Sequence, residues 1–232
     1  MRKLILFDID GTILWTDGAG RRAIRAALVL EMGTAGPIDQ GYRLDGKTDP
    51  QIVRELLTAA GHPDADNEAR TLRVCGRYVE FLARELEVAR ERTRLFPGID
   101  RLLNELERRG DALLGLLTGN VAEGAALKLR AAGVDPARFR IGAFGSDAAA
   151  RASLPPIAAR RAEPLMGRVP AGDEVVIIGD TPADVTCGSG IGARAIGVAT
   201  GHYSREDLLA AGAYAAFPDL ADLEPVLQAI FS

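Results

Sequence analysis

Soft metal ligands are scarce in this chain. Its two cysteines, Cys75 and Cys187, and its two histidines, His62 and His202, lie far apart and form no CxxC or Cys/His spacing. Two such thiols support neither a disulfide framework nor a zinc site, and the isolated histidines are expected to be exposed or locally capped. Positive charge is also short. The net charge of -4 and a pI near 5.4 leave no basic field to select nucleic acid or an anionic membrane, so neither is expected as a partner. No apolar run approaches the length needed to cross a bilayer, and the first strand pattern begins almost at once, without a charged leader and apolar segment. A cytoplasmic location is the expectation. Lysine is nearly missing, with only Lys3, Lys47 and Lys128.

The 232 residues, 47% hydrophobic and 26% charged, have ordinary globular composition, which excludes disorder as the default. The length suits one large domain, or one carrying a smaller insertion. The most informative stretch is Leu4 to Leu14, LILFDIDGTIL. A short, uniformly apolar run reads as a strand buried on both faces of a parallel sheet, and a buried charge at its end is costly unless paired or metal-bound. Alternation places Asp8 and Asp10 on one side, projecting together from the strand's carboxyl end. Open α/β sheets bind ligands beyond that end.

Helical spacing follows from Gly18 to Met32, from about Pro50, and from about Asp66 to Arg90, with no strand between. Residues 15–91 therefore read as an all-helical insertion. After Phe96-Pro97-Gly98 strands alternate with helices: Ala112 to Leu117, Ile141 to Phe144, Glu174 to Ile178 and Ala195 to Val198 are strands, and Ile99 to Arg109, Val121 to Ala132 and Pro156 to Met166 are helices. This pattern predicts an α/β fold with a Rossmann-like parallel sheet, built from residues 1–14 and 92–232.

The strand ending at Ile178 runs into Gly179-Asp180-Thr181-Pro182-Ala183-Asp184, so two strands deliver acids to one edge. Four carboxylates in one crevice repel one another unless a cation lies among them. A hard, oxygen-loving divalent ion meets that need, and Mg²⁺ is the usual partner where carboxylates share it with a phosphate.

The sequence resembles the haloacid dehalogenase superfamily, and within it the phosphoglycolate phosphatase branch. DIDGT is similar to its first motif, LLTGN to its second and IIGDTPADV to its fourth, with the helical insertion placed as that family's small cap. The resemblance implies a phosphatase for a small phosphorylated metabolite. Asp8 would be the nucleophile that forms an aspartyl-phosphate, and Asp10 the acid and then the base. Mg²⁺ would be held by the Asp8 side chain, the Asp10 carbonyl and Asp180, with Asp184 in support. Thr118 and the amides of Gly119 and Asn120, at a strand end before a helix, would bind phosphate oxygens. The same TGN is equally compatible with a turn and helix cap.

One departure stands out. The family places a lysine just before the fourth motif's strand, and none is there. Arg151, ahead of Pro155 and Pro156, is the candidate replacement, with an ordinary surface arginine as the competing reading. Gly41 to Thr48 matches GxxxxGK[ST] literally, but a phosphate-binding loop must follow a buried strand, and Gly33 to Gln40 is polar and rich in Gly and Pro. Within the cap, Arg43 and Lys47 are placed in a loop that either closes over the crevice to contact substrate or is simply solvated. The alternatives are a phosphosugar mutase of the same fold, disfavoured by Thr12, and a catalytically silent binding protein that keeps the fold. A dehalogenase has no use for Asp10.

Overall fold

The computed structural model describes residues 2–232. Strand β1, Lys3–Phe7, lies at the centre, and Leu4, Ile5, Leu6 and Phe7 have no exposed surface. Each such side chain contributes about 1.5–3 kcal/mol of burial. The chain then turns at Gly11 and runs through a two-residue strand β2, Leu14–Trp15, into helices α1, Ala19–Met32, α2, Asp49–Ala59, and α3, Glu68–Val88. It returns through β3, Arg94–Leu95, to α4, Ile99–Arg109, then β4, Ala112–Thr118, α5, Ala122–Ala131, and β5, Ile141–Phe144. The rest is α6, Leu154–Met166, β6, Val175–Gly179, α7, Pro182–Cys187, β7, Arg194–Val198, α8, Arg205–Ala210, β8, Ala215–Phe217, and α9, Leu223–Phe231.

Among the described residues, six strands form one parallel sheet in the order β5-β4-β1-β6-β7-β8. The chain builds outward from β1 on one side through β4 and β5, then crosses to build β6, β7 and β8 on the other. That is a topological switch point, with the crevice beyond the carboxyl ends of β1, β4 and β6. Register aligns those ends: Phe7 pairs with Leu116 and Ile178, and the Asp8 amide donates to the Ile178 carbonyl at 2.9 Å.

Alternation along β1 splits the core. Ile5 and Phe7 pack with Leu102, Leu106, Leu129 and Ile230 on one face, and Leu4 and Leu6 pack with Leu154, Ala158 and Ala162 on the other. Helices therefore cover both faces, and only the strand ends remain for polar groups.

The helices after β1 have their own apolar cluster, in which Ile24 and Leu28 of α1 meet Leu56 of α2 and Val74, Tyr78 and Leu82 of α3. Val121, just before α5, joins that cluster, so the helical unit is seated on the sheet unit. The two connections lie side by side as an antiparallel ribbon, with Leu14 opposite Leu95 and Trp15 opposite Arg94. The ribbon, the edge strand β8, and helices α7, α8 and α9 go beyond the sequence reading. Among the described residues, no helix is long and apolar enough to cross a membrane.

Candidate active site

Asp8 and Asp10 line one cavity of about 200 Å³, together with Trp15, Lys47, Thr118, Asn120 and Lys128. Their side chains take different partners. Regular alternation ends with β1 at Phe7, after which Leu14 and Ile13 donate back to the Ile9 carbonyl in a tight turn. Asp8 is buried and faces Arg151, with 3.1 Å between Oδ1 and Nη2. Asp10 is half-exposed and is held by Asn120 and Lys128. The two carboxylates share this cavity while taking different partners.

Gly11 makes the turn possible. Its φ is +85°, in the left-handed region that glycine tolerates, and a β-carbon there would lie 2.3 Å from Asp180 Oδ2. Asp180 is thus pressed against the first loop, where Thr12 Oγ1 donates to its Oδ1 at 3.2 Å.

Asp184 is fixed by a capping box. Its amide donates to Thr181 Oγ1 at 3.2 Å, and its Oδ2 accepts from the Thr181 amide at 3.0 Å and hydroxyl at 2.7 Å, with Pro182 in the first turn of α7. Its Oδ1 is left to pair with Arg151. Carboxylate oxygens of Asp8, Asp180 and Asp184 all fall within 4.8 Å of one another.

Burial, followed by the Asp184 charge, pushes the Asp8 carboxyl up to about 7, against the pull of Arg151. Burial and the charges of Asp184 and Asp8 raise Asp180 well above the usual range. Such a cluster favours a cation, and its all-oxygen donors suit a hard one. Arg151 alone supplies one positive charge to Asp8 and Asp184. It is 8% exposed, which removes the surface-arginine reading, and its Nε is buried without a partner among the described residues.

Thr118 is fully buried at the end of β4. Its hydroxyl oxygen accepts from the Asn120 amide at 3.3 Å and from Asn120 Nδ2 at 2.8 Å. The Asn120 main-chain donor expected to face a phosphate is therefore turned onto Thr118 in this structure. Gly119 lies against the helical unit, and a β-carbon there would sit 2.0 Å from the Lys47 carbonyl. Thr48 tightens the same seam. Its hydroxyl donates to the Ala149 carbonyl at 2.7 Å while accepting from the Gln51 amide at 3.2 Å to cap α2.

Lys47 lines the cavity wall, paired with Glu55 at 2.6 Å and lying 4.1 Å from the centre of the Tyr42 ring. Arg43, for which the sequence leaves substrate contact and a solvated loop both open, lies on a neighbouring recess, where it pairs with Asp45 at 2.9 Å and stacks over Tyr203. Asp45 and His202 are at the rim. The literal phosphate-loop match is preceded by a 3-10 turn at Gly36–Asp39, not by a strand.

Sequence reasoning missed Asp49 and Lys128. Asp49 is buried in the seam, and its carboxylate accepts the Val121 amide at 2.8 Å. As the first residue of α2 it has the signature of an ordinary helix start. Lys128 is buried on α5, and a lone lysine in a helix usually marks a solvated face.

Comparison with known proteins shows the family and the fold. Residues 2–192 match the profile of the haloacid dehalogenase-like hydrolases. The chain is 30% identical over 225 residues to a phosphoglycolate phosphatase from Rhodospirillum rubrum, covering 96% of this chain and 90% of that protein. Its fold is similar to that of a hydrolase from Pseudomonas syringae, with a TM-score of 0.76 and 22% identity over the whole of both chains. It is also similar to CbbY from Rhodobacter sphaeroides in complex with phosphate, with a TM-score of 0.74 and 23% identity over 97% of each chain.

Proposed function

Since the chain belongs to the haloacid dehalogenase-like hydrolase family, we propose that it is a Mg²⁺-dependent phosphatase acting on a small phosphorylated metabolite of the phosphoglycolate type. The observation that carries this reading is the convergence of Asp8, Asp180 and Asp184 within 4.8 Å, beside a cavity lined by Asp8, Asp10 and Asp180.

Residues 1–14 and 92–232 are the catalytic core, and residues 15–91 are a cap that closes over it. The Asp8 side chain, the Asp10 carbonyl and Asp180 would hold Mg²⁺, with Asp184 supporting them. The ion, when bound, offsets phosphate charge that would otherwise repel the attacking carboxylate.

Asp8 attacks phosphorus and carries the phosphoryl group as an aspartyl-phosphate. Asp10 gives a proton to the departing oxygen, then takes one from the water that releases phosphate. Arg151 fills the role of the absent lysine, orienting Asp8 through its guanidinium. Thr118 and the amides of Gly119 and Asn120 complete the phosphate site as the cap moves. Lys47 faces the part of the substrate beyond the phosphate.

The test is phosphate release from a nitrophenyl phosphate and from 2-phosphoglycolate, with and without Mg²⁺. Turnover that requires the ion and falls to background in Asp8→Asn is expected. Undiminished turnover in that variant sinks the nucleophile assignment, and tight phosphate binding without turnover of any ester points to a silent binding protein.

A further inference from the structure

The chemistry assigned above gives no role to the buried lysine that lines the cavity. Lys128, whose side chain is 5% exposed, donates to Asp10 Oδ2 and to Asn120 Oδ1, both at 2.6 Å. Asn120 Nδ2 donates to the same Asp10 oxygen at 2.8 Å. Asp10 Oδ2 thus receives two donors from one direction, while no donor reaches its Oδ1 among the described residues.

Helix α1 makes room for this arrangement. A β-carbon on Gly20 would come within 3.3 Å of Lys128 Nζ, so the cap approaches the ammonium where it has no side chain. The pair is only half-buried, since the Asp10 side chain is 42% exposed, and ion pairs open to solvent add little to stability.

We propose that Lys128 is a positioning residue for Asp10: with Asn120 it fixes Oδ2, so that Oδ1 is presented to the oxygen leaving the phosphate. The proposal rests on the assignment of proton transfer to Asp10. In the first step an Asp8 oxygen bonds to phosphorus, the ester P–O bond breaks, and the leaving oxygen takes the proton from Asp10 Oδ1. In the second, water bonds to phosphorus and gives its proton to Asp10 Oδ1, while the bond from phosphorus to Asp8 breaks. A carboxylate free to rotate loses this alignment, and misplacement by about 1 Å is worth about 10²-fold in rate.

The experiment compares kcat/KM, which reports the step in which the leaving group departs, for a nitrophenyl phosphate and a simple alkyl phosphate in the Mg²⁺-loaded enzyme. Nitrophenolate leaves without a proton, whereas an alkoxide does not. Lys128→Met is expected to lower the alkyl value on the order of 10²-fold and the nitrophenyl value by no more than about threefold, with Lys128→Arg recovering part of the alkyl loss.

Retained nitrophenyl turnover also shows that the variant is folded. If Lys128→Met does not fold, Lys128→Gln and Lys128→Arg carry the same comparison. Asp10→Asn is measured alongside. If it lacks the alkyl bias, the role given to Asp10 fails. If it has the bias but the Lys128 variants lower both substrates equally or neither, the positioning role is overturned.

Discussion

The Oδ2 atom of Asp49 accepts the amide hydrogen of Val121 at 2.8 Å, across the seam between the helical unit and the sheet unit. The Asp49 amide in turn donates to the Gly119 carbonyl at 2.8 Å. One cap residue thus clasps both sides of Asn120, the residue that holds Asp10.

Asp49 makes stability pH-dependent. Burial pushes its carboxyl from 3.8 up to about 6, against the nearby Lys128 charge and the Val121 amide. Between those values the folded chain keeps a proton that the unfolded chain has released. This contribution to stability is therefore full below pH 3.8, falls as pH rises toward 6, and is flat above. Asp49→Asn keeps an oxygen for the Val121 amide and cannot ionise. Its stability relative to the parent should rise between pH 4 and 6 and then level off, as read from urea midpoints across pH. Parallel curves would show that Asp49 does not titrate in that window.

Gly119→Ala should part the seam. The added methyl group would sit 2.0 Å from the Lys47 carbonyl, which is main chain and cannot rotate away. Overpacking of this kind costs about 1–3 kcal/mol. Lower stability is expected, together with faster proteolysis within residues 16–93, since the cap separates more easily. An unchanged cleavage rate would place the strain elsewhere.

Arg151→Met removes the guanidinium shared by Asp8 and Asp184. Breaking a buried pair from one side costs about 3–5 kcal/mol. Urea unfolding should show a loss of that order, with phosphate release severely reduced. Arg151→Lys restores charge but not the planar fork, so it should recover stability more fully than turnover. Equal recovery of both would mean that charge alone matters.

Mg²⁺ should raise the melting temperature of metal-stripped protein, because a ligand bound only to the folded state stabilises it by about 2.7 kcal/mol at a hundredfold excess over Kd. In Asp180→Asn that increment should shrink or vanish, whether or not the variant turns over substrate. An increment of full size would remove Asp180 from the ion's ligands.

The acid cluster is legible in sequence because Asp8 and Asp180 each end an apolar run, and parallel register carries both to one edge. Arg151 is legible only through the resemblance, by its place ahead of the β6 strand. Lys128 and Asp49 are not legible, because their meaning depends on how the cap sits. Each occupies a position that a solitary helix would show to solvent, and only packing between units buries it. The ribbon of β2 and β3 is too short for any periodicity. Strand β8, Ala-Ala-Phe, offers small residues where strands usually advertise branched ones.

That ribbon has an evolutionary consequence. Because Trp15 lies opposite Arg94, the excursion of residues 16–93 leaves and rejoins the core at nearly one point. Loop-closure entropy grows only slowly with length, so the core tolerates excursions of very different size at this junction. The cap is in this sense an exchangeable part, and selection can retool what the enzyme accepts while the carboxylates stay where β1 and β6 put them.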